Sequence, residues 1–195
     1  SWWAIGARTT ESQEHRKLVS WLSMPVGFKN GTTGDIQIAI DAIKSSKWQH
    51  TFLWATKEWR IAKVKTSGNP DGHMILRGGS DGPNYSAEHI AKVDEKLTKA
   101  GVKTGIVVDF SHANSKKDHK NQPLVSLDIS EQIIAGNKKI VWVMIEWNIH
   151  EWNQPLSDNL KYGVSITDAC VNWETNVEML NQLNNAVSQR NNLTK

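Results

Sequence analysis

Three side chains able to hold a metal ion lie at the ends of separate predicted elements of the chain. His112 comes just after the apolar run 106–110, Glu146 follows the run 140–145, and Asp168 precedes the last helical pattern. One imidazole nitrogen and two carboxylate oxygens suit Mn²⁺, Fe²⁺, Co²⁺ or Zn²⁺ and leave positions open for a substrate. We therefore expect a divalent metal site, and the alternative for His112 alone is a packed or capping histidine.

Other groups near these positions are expected to play lesser parts. Asp109, three residues before His112, is expected to orient this imidazole from outside the metal's own ligands. Cys170 lies two residues after Asp168 and is expected to be a buried thiol rather than a ligand. The remaining histidines are expected to face solvent or loops, and they are His15, His50, His73, His89, His119 and His150.

Three cations stand at comparable places, each directly after an apolar segment. They are Arg8, Lys29 and Arg77, and Arg77 is followed by the pair 78–79 of glycines. Arginine matches the oxygens of phosphate and carboxylate in pairs, and lysine adds a point charge. Glycine backbone can also approach an anion closely. The pattern predicts an anion site, while each cation taken singly is also compatible with a solvated loop charge.

Alternating strand and helix patterns predict how these side chains are positioned. Strands are predicted at 4–7, 25–28, 73–76, 106–110 and 140–145, and helices at 11–22, 36–46, 86–100, 124–135 and 173–189. Thr10 and Gln13 predict a capping box for the first helix. Segments 51–56 and 61–66 predict a β-ribbon inserted before the third strand. Such alternation indicates an α/β fold with a parallel sheet, whose strand tips converge on one pocket in a barrel.

Composition narrows the class of protein. The 195 residues suit one domain, the net charge is only +3, and there is no basic block that would indicate nucleic acid. No apolar run has the roughly 18 residues of a membrane span, so no membrane partner is expected. A single cysteine allows no internal disulfide and favours a reducing, cytoplasmic setting.

Five motifs resemble one enzyme family over essentially the whole chain. They are AIGARTTESQ at 4–13, PVGFKNG at 25–31, ILRGG at 75–79, DFSHANS at 109–115 and SITDAC at 165–170. The set closely resembles 3-deoxy-D-arabino-heptulosonate-7-phosphate (DAHP) synthase of the phenylalanine- or tyrosine-sensitive type, with a fungal look. The resemblance implies a TIM (β/α)8 barrel and a metal-dependent condensation of phosphoenolpyruvate with erythrose 4-phosphate, the first step of the shikimate pathway.

The resemblance also implies roles for individual residues. Arg8, Lys29 and Arg77 match phosphoenolpyruvate-binding positions, and His112, Glu146 and Asp168 match metal ligands. Ser23, Phe52 and Trp54 resemble the cavity that binds an aromatic amino-acid feedback inhibitor. A homo-oligomer is expected as well.

The chain departs from the family pattern in its extent. Residues 1–195 correspond to a partial barrel domain, strands 4 to 8 with their helices, without the first three strands, the cysteine ligand or the Lys-Pro-Arg loop. We therefore expect a chain that is catalytic in its parent context.

Its ten tryptophans are the second departure. Trp2 and Trp173 fit the family pattern. Seven others occupy places where glycine, serine or another small residue is expected, at Trp3, Trp21, Trp54, Trp59, Trp142, Trp147 and Trp152. Trp48 looks foreign too. The alternative function is a catalytically incomplete or engineered, tryptophan-enriched fragment that acts as a folding or binding module. A synthase of eight-carbon sugar acids that also uses phosphoenolpyruvate is a third possibility.

Overall fold

The computed structural model describes residues 1–193 and the side chains of residues 1–192. Its strands are β1 (Trp3–Ile5), β2 (Val26–Lys29), β3 (Thr51–Ala55), β4 (Ile61–Lys65), β5 (Gly72–Leu76), β6 (Ile106–Asp109) and β7 (Ile140–Met144). Its helices are α1 (Gln13–Trp21), α2 (Gln37–Ser46), α3 (Ala87–Lys99), α4 (Gln122–Ile134) and α5 (Trp173–Leu193), and a 3-10 turn (His119–Asn121) leads into α4. No helix among these residues is long and apolar enough to cross a membrane.

Five strands form one parallel sheet in the order β1-β2-β5-β6-β7. Parallel neighbours require crossover connections, and in the described residues a helix follows each of these strands. The antiparallel pair β3 and β4 stands apart as a two-stranded ribbon. The prediction of five strand-and-helix units with an inserted ribbon is therefore confirmed.

The hydrophobic core lies between the sheet and the helices that cover one of its faces. β5 and β6 are buried along their whole length, which explains why their sequences are continuous apolar runs. Alternation along β6 sends Ile106 and Val108 into this core, together with Met74 and Leu76 of β5. The opposite face of the sheet carries polar residues of the site, among them Lys29 and Asp109.

A bulge in β7 changes which of its side chains face the core. Ile106 pairs with Ile140, but Val107 pairs with Trp142, so Val141 is an extra residue in β7. Both Ile140 and Val143 consequently pack against the core. In a regular strand Ile140 and Val143, which are three positions apart, would face opposite sides of the sheet. The bulge places both on the core side.

The first helix begins two residues later than the capping box implies. Ser12, not Thr10, caps α1, and its hydroxyl accepts from the backbone N–H of His15. Thr10 is buried and donates its hydroxyl to the carbonyl oxygen of Lys29 at 2.8 Å. The predicted capping box is thus wrong, since Thr10 ties the loop after β1 to the tip of β2.

Two tryptophans have a backbone conformation that favours glycine. The φ angle is +59° at Trp59 and +81° at Trp152, both in the left-handed region. A bulky side chain is strained there, whereas glycine is not. The expectation that these positions suit a small residue therefore has a structural basis at both.

Candidate active site

The six residues predicted to bind phosphoenolpyruvate or a metal line one cavity of about 760 Å³ at the carboxyl ends of the strands. Lys29 ends β2 and Arg77 directly follows β5, while Arg8 lies in the turn after β1. On the other side are His112, Glu146 and Asp168, which come after β6 and β7. The structure thus brings the cationic and the metal-ligating groups together in one space.

The His112, Glu146 and Asp168 side chains form a compact donor group. One ligand atom from each lies within 4.8 Å of the other two. His112 presents Nε2 to the group, at 3.8 Å from Glu146 Oε1. Because one neutral nitrogen and two carboxylates suit a first-row divalent ion, and the atoms are close enough to share one, these residues fit a metal site.

Asp109 orients both sides of the cavity from beneath. It is fully buried, and its Oδ2 accepts a hydrogen bond from Lys29 Nζ at 2.7 Å and lies 2.9 Å from His112 Nδ1. Burial alone would raise the pKa of this carboxyl. The hydrogen bond from His112 and the charge of Lys29 outweigh burial and hold its pKa well below the usual range. Asp109 is therefore an anion that keeps the adjacent imidazole in place.

Among the residues whose side chains are described, hydrogen bonds hold Glu146 through its backbone and none holds its carboxylate. The buried Gln122 side chain donates to the Glu146 carbonyl oxygen and accepts from its backbone N–H, both at 3.0 Å. Burial raises the pKa of the Glu146 carboxyl; His112 opposes the rise, and Asp109 and Asp168 add to it. Its carboxylate is left free to face a cation, which would relieve the repulsion among the acids.

Three asparagines that sequence reasoning missed hold the strand-tip loops together. The Asn30 side-chain oxygen accepts from the Arg77 N–H, and its amide donates to the carbonyl of Gly78 at 3.0 Å. Asn84 accepts from the Gly78 N–H and donates its own N–H to Asn114. Asn114 donates to the Asp109 carbonyl at 2.8 Å. The only sequence signal for this network was the position of Asn30 and Asn114 just after strand ends.

The glycine pair after Arg77 serves packing. Gly78 donates its N–H to Asn84 and Gly79 donates to Gly82, so neither amide is available to an anion. A Cβ atom on Gly79 would lie 2.2 Å from the backbone nitrogen of Gly34. The predicted backbone approach to an anion is wrong, because Gly79 instead allows the loops after β2 and β5 to touch, and Gly78 lies against Ala113 in the loop after β6.

The expectation that the remaining histidines face solvent or loops is wrong for two of them. His73 of β5 is 6% exposed and accepts a hydrogen bond from the Trp2 indole at 2.7 Å. His119 is 3% exposed, and among the described residues neither ring nitrogen has a hydrogen-bond partner. It packs edge-on against Trp152 at 5.5 Å. Long-range packing decides both positions, and Cys170 is buried as expected.

Comparison with known proteins supports the resemblance. The sequence profile of the DAHP synthetase I family matches residues 1–181. The chain belongs to the DAHP synthetase I family. Its fold is accordingly that of an α/β, TIM-barrel family, of which residues 1–193 show the five parallel strands described above.

Named members of the DAHP synthetase I family are similar over nearly all of the chain. The Phe-sensitive phospho-2-dehydro-3-deoxyheptonate aldolase of Escherichia coli K12 is 55% identical over 192 residues, covering 97% of this chain and 55% of that protein. The tyrosine-inhibited enzyme of Schizosaccharomyces pombe is 54% identical, with 97% and 53% covered. The chain therefore spans about half the length of these relatives, which include bacterial and fungal proteins.

A solved structure agrees with the fold. The phospho-2-dehydro-3-deoxyheptonate aldolase of Francisella tularensis has a TM-score of 0.93 and 50% identity, and the match covers 97% of this chain and 55% of that one. The alternative, a catalytically incomplete or engineered tryptophan-enriched fragment that acts as a folding or binding module, is not favoured, because the matched relatives are named as aldolases.

Proposed function

We propose that this chain carries the phosphoenolpyruvate and metal sites of a DAHP synthase. The reaction is the condensation of phosphoenolpyruvate with erythrose 4-phosphate at the start of aromatic amino-acid biosynthesis. The observation that carries the proposal is the shared cavity, with Lys29 on one side and His112 on the other, both bonded to Asp109. A cleft that holds an anion beside a divalent cation suits this pair of phosphorylated substrates.

Arg8, Lys29 and Arg77 are proposed to hold phosphoenolpyruvate. Its carboxylate and phosphate need several cations, and two guanidinium groups with one ammonium can meet them with charge-assisted hydrogen bonds. Lys29 is fixed by Asp109, and the Arg77 backbone is fixed by Asn30. Anchoring at two such fixed points orients the enol so that its C3 faces the second substrate.

His112, Glu146 and Asp168 are proposed to hold a divalent metal, which can be Mn²⁺, Fe²⁺, Co²⁺ or Zn²⁺. A bound ion supplies Lewis acidity to the aldehyde of erythrose 4-phosphate. The bond forms between C3 of phosphoenolpyruvate and the aldehyde carbon, water adds to C2, and phosphate leaves. Arg8, Lys29 and Arg77 hold the phosphate as it departs, since they already neutralise its charge.

Feedback inhibition is proposed by analogy with the Phe-sensitive and Tyr-inhibited relatives. Ser23, Phe52 and Trp54 are the proposed contacts for an aromatic amino acid. In the ribbon, Phe52 and Trp54 meet edge-on at 6.2 Å, and Trp21 at the end of α1 contacts both. Aromatic edges and faces at this spacing suit a further aromatic ring. We also propose a homo-oligomer in the cytoplasm, where Cys170 stays a thiol.

The test mixes the purified chain with phosphoenolpyruvate, erythrose 4-phosphate and Mn²⁺ and follows the loss of phosphoenolpyruvate. The expected result is turnover that His112→Ala abolishes, because this variant loses a metal ligand. His150→Ala is the matched control, since it removes an exposed histidine. A chain that is folded by circular dichroism but shows no turnover would contradict activity of this chain by itself. A folded chain that also fails to bind Mn²⁺ would contradict the proposed site.

A further inference from the structure

One carboxylate oxygen serves both halves of the candidate site. Asp109 Oδ2 accepts from Lys29 Nζ at 2.7 Å and lies 2.9 Å from His112 Nδ1. Oδ1 accepts from the backbone N–H of Ser111 at 3.0 Å and from its hydroxyl at 2.7 Å. The carboxylate is fully buried and held at both oxygens. It therefore cannot turn toward one partner without weakening its bond to another.

We propose that Asp109 is a positioning residue that couples the two sites, so that a metal at His112 strengthens the binding of an anion at Lys29. Phosphoenolpyruvate as that anion rests on the proposed function. The coupling itself requires only a cation at one end of Asp109 and an anion at the other. By linkage, the anion must strengthen metal binding by the same factor.

The His112 end has only one consistent arrangement of protons. The Ser111 hydroxyl donates to Asp109 Oδ1, so its oxygen can only accept from His112 Nδ1, which lies 2.8 Å away. Asp109 Oδ2 also accepts, and Nδ1 must therefore carry the proton of the neutral ring. Nε2 then holds the lone pair and faces Glu146 and Asp168, which is the tautomer that a metal ligand needs.

The Lys29 end responds through the shared oxygen. When Nε2 gives its lone pair to a cation, the Nδ1–H becomes a stronger donor and takes more of the charge on Asp109 Oδ2. The attraction between Asp109 Oδ2 and the Lys29 ammonium is then weaker, so the ammonium becomes more available to an anion in the cavity. The Lys29 side chain is 12% exposed there. Low local dielectric strengthens such charge sharing compared with water.

The experiment measures Mn²⁺ binding by calorimetry with and without phosphoenolpyruvate, and no turnover is needed. In the unmodified chain, phosphoenolpyruvate is expected to lower the Kd for Mn²⁺ several-fold. Asp109→Asn is expected to weaken Mn²⁺ binding by roughly 10–100-fold, as loss of an outer partner of a ligating histidine does. Asp109→Asn should also reduce the factor by which phosphoenolpyruvate lowers the Kd for Mn²⁺. Direct attraction between metal and anion persists in both proteins, so the difference measures the coupling through Asp109.

The control is Asp41→Asn, which removes an exposed carboxylate on α2 and should leave both the affinity and the linkage unchanged. The visible spectrum of the Co²⁺ form gives a readout that a purely structural role would not change. Phosphoenolpyruvate should shift this spectrum in the unmodified chain and shift it less in Asp109→Asn. If Asp109→Asn does not fold, Ser111→Ala takes its place, because it removes one of the two hydrogen bonds to Oδ1, keeps the charge of Asp109 and should weaken the linkage.

Two outcomes separate this proposal from the proposed function. If inorganic phosphate shows the linkage and phosphoenolpyruvate does not bind, the proposed substrate is wrong and the coupling stands. If a folded Asp109→Asn, or Ser111→Ala in its place, keeps the full linkage of the unmodified chain, the coupling through Asp109 is wrong. Absence of any linkage with either anion in the unmodified chain overturns it as well.

Discussion

The side-chain oxygen of Asn30 accepts a hydrogen bond from the backbone N–H of Arg77 at 2.9 Å. Asn30 follows β2 and Arg77 follows β5, so this bond joins the tips of two neighbouring strands. The Asn30 side chain is fully buried, and its amide also donates to the carbonyls of Gly31 and Gly78. One uncharged side chain thus sets the position from which a cationic residue enters the cavity.

We expect Asn30→Ala to destabilise the protein by about 2–3 kcal/mol, because it leaves several buried backbone groups without partners. Urea unfolding checks this value. Asn181→Ala is the control, since it removes an exposed asparagine on α5 and should change stability by less than about 0.5 kcal/mol. If the two variants unfold at the same urea concentration, the network around Asn30 does not stabilise the fold.

Replacing Trp59 with glycine is expected to stabilise the protein by roughly 1 kcal/mol. The residue has a φ of +59° and its side chain is 90% exposed, so the change relieves strain and removes few contacts. Thermal unfolding measures the gain. The control is Trp48→Gly, at an exposed position without a positive φ, where added freedom of the unfolded chain should lower stability instead.

His73 should make the protein less stable in mild acid. Burial lowers its pKa, and the hydrogen bond to the Asp71 carbonyl and the charge of Asp71 only partly oppose this. Since the unfolded chain binds the proton more readily, stability is full above the unfolded pKa of about 6.5 and falls as the pH drops toward the lower folded pKa.

Urea unfolding of the protein and of His73→Gln between pH 7.5 and 5 measures this effect. The stability advantage of histidine over glutamine should shrink as the pH falls. An advantage that stays constant over this range would show that the two states bind the proton equally well.

Replacing His119 with phenylalanine is expected to raise stability by about 1 kcal/mol. The imidazole nitrogens lie 3.6 Å from Asp118 Oδ1 and 3.8 Å from Glu151 Oε2, beyond hydrogen-bond distance, so no hydrogen bond among the described residues compensates for burial of the ring. Phenylalanine keeps the contact with Trp152, whereas His119→Ala should destabilise by leaving a cavity. A loss of stability with phenylalanine would show that the two carboxylates hold a charged His119.

The sequence predicts the parallel sheet and the strand-tip side chains because both depend on local pattern. A continuous apolar run such as 106–108 has few alternatives to a buried strand, and the polar residues after it must lie at its carboxyl end. The capping choice between Thr10 and Ser12 was wrong because a contact with β2, distant in the chain, decides it. The burial of His73 and His119 was missed for the same reason.

The loop network shows the other limit of such reasoning. Asn84 and Asn114 are residue types common in any turn, and nothing in their spacing shows that one donates to the other. The metal-ligating group could be anticipated because its members differ chemically from ordinary loop residues. Asp109 could be anticipated only as a partner of His112, since its bond to Lys29 links positions 80 residues apart.

The register of β7 after its extra residue determines on which face of the sheet Glu146 lies. Glu146 faces the cavity because it lies an even number of positions after Trp142, which pairs with Val107 on the cavity face. Deletion of Val141 would leave Trp142 opposite Val107 and Glu146 on the cavity face, whereas deletion of one residue between Trp142 and Glu146 would send the Glu146 carboxylate toward the helices. Changes of length after the bulge should therefore be as harmful as replacing a ligand, whereas loss of Val141, which is half exposed, should leave the ligand in place.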